Sequence, residues 1–145
     1  MMARARGRKG SRIGEETRTE LPWKKAPPEM VSLFERVRPP EEAGVQHRSM
    51  FGYPCCFVVG HMFMGLHEDN LFLRLSEEDI EAFLRIPGAS RFEPMAGRPM
   101  RGYVTVPREM LADGPDLHGW IERSLAFARQ LPPKQESKRK PQRGR

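Results

Sequence analysis

The stretch from residue 53 to 75, "YPCCFVVGHMFMGLHEDNLFLRL", constrains the fold more than any other part of the chain. Two short pairs, Gly60-His61 and Asp69-Asn70, divide it into three apolar runs of strand length. Pairs of this composition suit two-residue hairpin turns. Side chains alternate faces along a strand, so each turn fixes a register. With these turns Val59 faces Met62, Phe57 faces Met64 and Cys55 faces Leu66; across the second turn Leu66 faces Leu73 and Met64 faces Leu75. Two independently placed turns thus build one continuous apolar face on a three-strand meander. The other face reads Cys56, Val58, Phe63, Gly65, His67, Phe72 and Arg74. It is more apolar than a solvated face should be, which implies a cover: the N-terminal helix, a tail, or a second copy of the chain.

Helices flank the meander. "APPEMVSLFERVRPP" places prolines in a first turn and Met30, Leu33, Phe34 and Val37 on one stripe, and Pro39-Pro40 stops it. "EEAGVQH" reads as a loop. "SEEDIEAFLRIPG" has an N-cap at Ser76, acids in its first turn and a stripe of Ile80, Phe83 and Leu84. A short strand near Phe92, a turn from Ala96 to Pro99, a strand from Met100 to Val106 and the short helix "PREML" follow. A last helix runs from about Asp116 to Leu131, with Leu117, Trp120, Ile121, Leu125, Ala128 and Leu131 on one side. The pattern predicts an α+β domain over residues 26–131. Its antiparallel sheet combines the three-strand meander with two further strands, and its helices lie mainly on one face.

Charge is distributed unevenly. Residues 1–25 carry eight basic side chains against three acidic, and residues 132–145 six against one, whereas 26–131 are net acidic. Both ends lack apolar periodicity and are expected to be disordered basic tails. Arg4, Arg6, Arg8, Lys9, Lys138, Arg139 and Lys140 could contact nucleic-acid phosphates without base specificity; the other reading is a simply solvated tail. No apolar run is long enough to span a membrane, and the basic start lacks a secretory apolar segment. Two adjacent cysteines cannot build a disulfide framework, so a reducing cytoplasm is expected.

Candidate chemistry is sparse. Cys55 and Cys56 diverge on a strand, and no spacing of His and Cys supplies a metal set. The simple register places Cys55 in the core and Cys56 on the face of His67, leaving a Cys56/His67 pair open beside a packing role. His47, His61 and His118 are scattered. No phosphate-binding glycine loop occurs, so no cofactor is expected. In "AGRPMRGY", Arg98 and Arg101 could hold an anion or a partner's carboxylates, or simply solvate a hairpin bend. Trp23 in "LPWKK" could stack on a base, or pin a tail onto the domain.

Taken in order, Met50-Phe51-Gly52, Gly60-His61-Met62-Phe63, Leu71 to Arg74, Phe92, Gly97 to Met100 (with Pro99), Tyr103 to Pro107 and Ser124-Leu125 resemble the N-terminal domain of the TfoX/Sxy competence-regulator family. The likeness covers roughly residues 28–131, with Tyr53-Pro54-Cys55 where that family commonly carries further glycine. It implies an α+β module similar to secretion-chaperone-like folds, without established catalytic residues, metal or cofactor. Two-domain members regulate DNA uptake alongside the cyclic-AMP receptor protein through a further helical domain. Here only a basic stretch follows Leu131, so the resemblance implies a stand-alone domain. The expected role is a non-enzymatic regulatory or adaptor module. It would act through a protein partner, with possible transcription-associated nucleic-acid contact by the tails. The alternatives are a small enzyme or ligand sensor using Cys56, His67 and the arginine turn, or a homodimer joined through the second sheet face.

Overall fold

The structure, a computed structural model, describes residues 24–134. Helix α1 (Pro28–Val37) begins on prolines, buries Met30, Leu33, Phe34 and Val37, and ends where Arg38 turns extended ahead of Pro39. A single 3-10 turn, Glu41–Ala43, closes on Gly44 and leads into β1 (Val45–Met50). That strand occupies part of the region whose composition suggests a loop. Gln46, His47, Arg48 and Ser49 give no apolar alternation because β1 is a sheet edge with mostly exposed side chains. Then come β2 (Tyr53–Val58), β3 (His61–His67), β4 (Asn70–Arg74), α2 (Glu77–Phe83), β5 (Ser90–Arg91), β6 (Tyr103–Thr105) and α3 (Pro115–Gln130). The cap on α2 is as expected: Ser76 Oγ accepts from the Asp79 N–H at 3.1 Å.

All six strands form one antiparallel sheet in the order β1-β2-β3-β4-β6-β5, so the chain is an α+β domain. The main core lies between one sheet face and the helices. It joins Leu33 and Phe34 of α1, Phe83 of α2 and Leu117, Ile121 and Leu125 of α3 to the inward strand residues. No helix among the described residues is long and apolar enough to cross a membrane.

The meander is present, but its register differs from the simple count. The β2–β3 turn is Val59-Gly60, with φ of +42° and +84°, rather than Gly60-His61. A type I′ turn needs two left-handed residues, and the glycine takes the second place. From that turn Val58 pairs with His61 and Phe57 with Met62; beyond Phe63, Cys56 pairs with Met64 and Cys55 with Gly65. Phe63 is therefore an extra residue on β3, a β-bulge. Phe63 and Met64 both sit in the main core, whereas Met62 packs with a separate cluster of Phe72, Phe92 and Tyr103 on the opposite face. One inserted residue exchanges the faces of the partner strand. Cys56, not Cys55, joins the main core, and Cys55 lies on the helix-free face with Gly65. The β3–β4 turn is Glu68-Asp69 instead of Asp69-Asn70. That slip of two preserves the faces: Met64 pairs with Leu73 and Leu66 with Leu71.

Two hydroxyl groups grip the bulge from opposite sides. The Tyr103 hydroxyl donates to the Met62 carbonyl at 2.7 Å, and buried Ser124 of α3 donates to the Phe63 carbonyl at 2.9 Å. Carbonyls displaced from a regular ladder inside a core need such partners. Burial pushes the Tyr103 pKa up, so its hydroxyl stays a donor well into the alkaline range.

Candidate functional site: an apolar pocket on the helix-free face

No helix among the described residues covers the second face of the sheet, where β2, β3 and β4 present Tyr53, Cys55, Met62, Gly65, His67 and Phe72. Over them folds the segment between β5 and β6. The Phe92 N–H donates to the Tyr103 carbonyl at 3.1 Å, and the Met100 N–H to the Phe92 carbonyl at 2.8 Å. Between them a tight turn closes from Met95 to Arg98 (N···O 2.9 Å), with Gly97 at φ +76°. The Phe92 ring stacks on Phe72, centroids 4.4 Å apart and planes 17° from parallel; Tyr103 meets the edge of Phe72 at 5.6 Å. These contacts hold the segment off the sheet and leave a cavity of about 330 Å³ beneath it.

Its lining is almost wholly hydrocarbon and sulfur. Cys55 and Leu66 line the sheet side, Met62 and Met100 flank Phe72, and Met50, Phe51, Pro94 and Met95 form the mouth. The space depends on Gly65. A Cβ there would lie 2.7 Å from Phe72 Cζ and 3.1 Å from Cys55 Cβ, too close for the present packing. The mouth is unusually apolar: Phe51 is 64% and Met95 61% exposed. Phe51 also adopts φ +56° in the β1–β2 turn, ahead of Gly52 at +85°. A phenylalanine in the left-handed region costs on the order of 1–2 kcal/mol relative to a residue at ease there. Asparagine would serve such a turn better, so the ring, not the turn, accounts for this residue.

The thiols do not form a reactive site. Cys56 is fully buried among core side chains while His67 lies on the other face, so the Cys56/His67 pair suggested by the simple register does not exist. Bulge formation at Phe63 is the physical reason. Cys55 is the thiol that shares the pocket with His67, whose ring lies 5.4 Å from Tyr53 and 5.6 Å from Phe92. Burial pushes Cys55 up to about 11, against the pull of Arg48, and Cys56 up to about 12. Both are protonated at neutral pH, the reverse of what a nucleophile needs.

These shifts have a consequence for stability. A thiol whose folded pKa exceeds its ordinary value of 9.0 contributes stability that is whole below about pH 9 and is lost as pH rises through the folded value. Unfolding free energy measured in urea should therefore fall by at least about 2 kcal/mol between about pH 8 and pH 11. A Cys55→Ala, Cys56→Ala double variant should show a clearly shallower decline. Equal declines would mean that the thiols are not the groups titrating.

The remaining candidates scatter. His47 Nε2 lies 2.8 Å from the Pro39 carbonyl, His61 Nε2 2.6 Å from that of Pro132, and His118 Nε2 2.6 Å from Asp113 Oδ1. Arg98 and Arg101 are exposed on the segment that carries Met95 and Met100. Arg4, Arg6, Arg8, Lys9, Lys138, Arg139 and Lys140 lie outside the described residues. Of the motif positions, Met50, Phe51, Met62 and Met100 line the pocket, and Gly52, Gly60 and Gly97 shape turns at positive φ. Phe63 forms the bulge, Tyr103 holds it, Pro99 follows the Met95–Arg98 turn, and Pro107 opens the 3-10 turn Arg108–Met110. Pro94 and Met95 are pocket residues that the sequence does not single out, and Cys55 is one that the simple register places in the core. Their one signal is the clustering of methionine around short turns.

Compared with known families, residues 40–128 match the TfoX N-terminal domain. No curated protein and no solved structure matches the chain. The matched span contains both turns that wall the pocket, Met50-Phe51-Gly52 and Gly97 to Met100.

Proposed function

Because the chain belongs to the TfoX N-terminal domain family, we propose that it is a regulatory or adaptor module that works by binding a protein partner. The observation that carries this reading is the pocket on the helix-free face, with exposed Phe51 and Met95 at its mouth. Exposed aromatic and methionine side chains around a small apolar recess are the usual makings of a contact site, since such anchors dominate interface energetics. Phe51 sits in a backbone conformation costly for its type, which favours a functional reason for the ring over a structural one. The occupant is an apolar side chain of the partner. Arg98 and Arg101 on the same segment suit a peptide with acidic residues beside that anchor. Protonated, buried thiols support a non-enzymatic role. Contact of the basic ends with nucleic acid, in a cytoplasmic and transcription-associated setting, forms part of the same proposal. It rests on their charge alone.

Phe51→Asn is the informative variant, because asparagine keeps the left-handed turn while the ring is removed. Immobilised wild type, Phe51→Asn and Met95→Glu should be challenged with nuclease-treated host lysate, alongside Glu81→Lys on exposed α2 as a surface control. A protein retained by wild type and by Glu81→Lys, but reduced at least tenfold on both pocket variants, is the expected result; a loss of about 1.4 kcal/mol suffices for that factor. Retention of the same proteins by all four would rule the pocket out as the contact site.

A further inference from the structure

The chain itself supplies a candidate occupant. Lys24, the first described residue, is held beside the pocket through both its backbone groups. Its N–H donates to Glu68 Oε2 at 3.3 Å, and its carbonyl accepts from the Tyr53 hydroxyl. Tyr53 lines the pocket, and Glu68 follows His67, which lines it too. The polypeptide therefore reaches the pocket's edge at Lys24, and the residues immediately before it are Leu21, Pro22 and Trp23. Successive Cα atoms are ~3.8 Å apart, so Trp23 needs no long excursion to enter.

Two hydrogen bonds at a sheet end are a weak reason for a chain to stay there. Each is worth roughly 1 kcal/mol net, about what fixing one residue's backbone costs. An apolar anchor next to them tips that near-balance toward the docked chain end. We propose that Trp23 of this chain occupies the pocket, so that Leu21-Pro22-Trp23 is its resident ligand and a partner must displace it. This rests on the reading of the pocket as a receptor for an apolar side chain, and it names the regulation of that receptor. Size and chemistry agree: a tryptophan buries about 150–250 Å², and the about 330 Å³ space is lined by methionines and aromatic rings that adapt to a flat apolar group. Trp120, the chain's other tryptophan, is already engaged on the helix side, 4.9 Å from Phe83. Tethering makes the effect strong, because a short linkage presents its ligand at roughly millimolar effective concentration.

The test uses the full chain carrying Trp120→Phe, so that Trp23 is the sole tryptophan, and the apolar probe 1-anilinonaphthalene-8-sulfonate. Trp23 emission is expected to be blue-shifted and shielded from acrylamide, and Met95→Glu should move it toward the solvent value. In the wild-type background Trp23→Ala should bind the probe about tenfold more tightly than the intact chain does. Solvent-like Trp23 emission, with equal probe binding by wild type and Trp23→Ala that Met95→Glu abolishes, would overturn this inference and leave the pocket a receptor. Solvent-like emission with no probe bound by either chain would overturn both. A blue shift that disappears on dilution would assign the occupant to a second copy and overturn the intramolecular form.

Discussion

Phe63→Ala is expected to lower the free energy of unfolding by about 3–5 kcal/mol, while Met62→Ala, one residue earlier, should cost no more than about 2 kcal/mol. Phe63 is fully buried against the helices and Met62 only partly buried on the pocket face. For a domain of this size roughly 4–8 °C of melting temperature accompanies each kcal/mol, so thermal unfolding followed by circular dichroism separates the two variants easily. The ordering depends on the bulge. A regular hairpin would send Met62 and Met64 to one face and Phe63 to the other, making Met62 the costlier loss. Equal costs, or a larger one at Met62, would show that β3 does not bulge at Phe63. Ser124 offers an independent check on the same feature. Its hydroxyl donates to the Phe63 carbonyl inside the core, so Ser124→Ala strands that acceptor at a cost of about 1–3 kcal/mol.

The parts of the fold legible in the sequence are those governed by local chemistry. Pro27-Pro28 and the apolar stripe of α1, the Ser76 cap of α2 and the final helix all follow from residues a few positions apart. The three-strand order of the meander is legible from its apolar runs and the turn-forming residues between them, although both turns sit one residue earlier than their composition suggests; the faces of β4 and β6 follow from simple alternation: Leu71, Leu73, Val104 and Val106 inward, Phe72, Tyr103 and Thr105 away. The face of β2 is not legible. It depends on one extra residue in β3, stabilised by Tyr103 and Ser124, which are 41 and 61 residues from the carbonyls they bind. No short window of sequence contains that information. β1 is not legible for a related reason, since an edge strand with exposed polar side chains is defined by its partner and not by its own pattern. The pocket sits between these cases. Its turns are visible as Met-Phe-Gly and Gly-Arg-Pro-Met, but the apolar second face of the simple register owes Cys56, Val58 and Phe63 to what is the main core, and the cavity exists only once the bulge has sent Met62 and Cys55 to its side.

Gly65→Val sets two opposing effects against each other, and their sizes predict which prevails. Replacing a strand glycine by a β-branched residue ordinarily gains about 0.5–1 kcal/mol, because glycine loses more backbone freedom on folding and packs nothing. Here the new Cβ would lie 2.7 Å from Phe72 Cζ and 3.1 Å from Cys55 Cβ. The Phe72 ring cannot simply retreat, since Phe92 stacks on it at 4.4 Å and Tyr103 closes its edge at 5.6 Å. Overpacking of this kind costs about 1–3 kcal/mol, so a net destabilisation of about 1 kcal/mol is expected, together with loss of apolar-probe binding as the floor rises into the pocket. Phe72→Leu should be destabilising alone yet partly rescue Gly65→Val, giving a coupling of about 1 kcal/mol or more in a double-mutant cycle by urea denaturation. Strictly additive effects, or a Gly65→Val protein more stable than wild type that still binds the probe, would mean that Gly65 does not hold the pocket open.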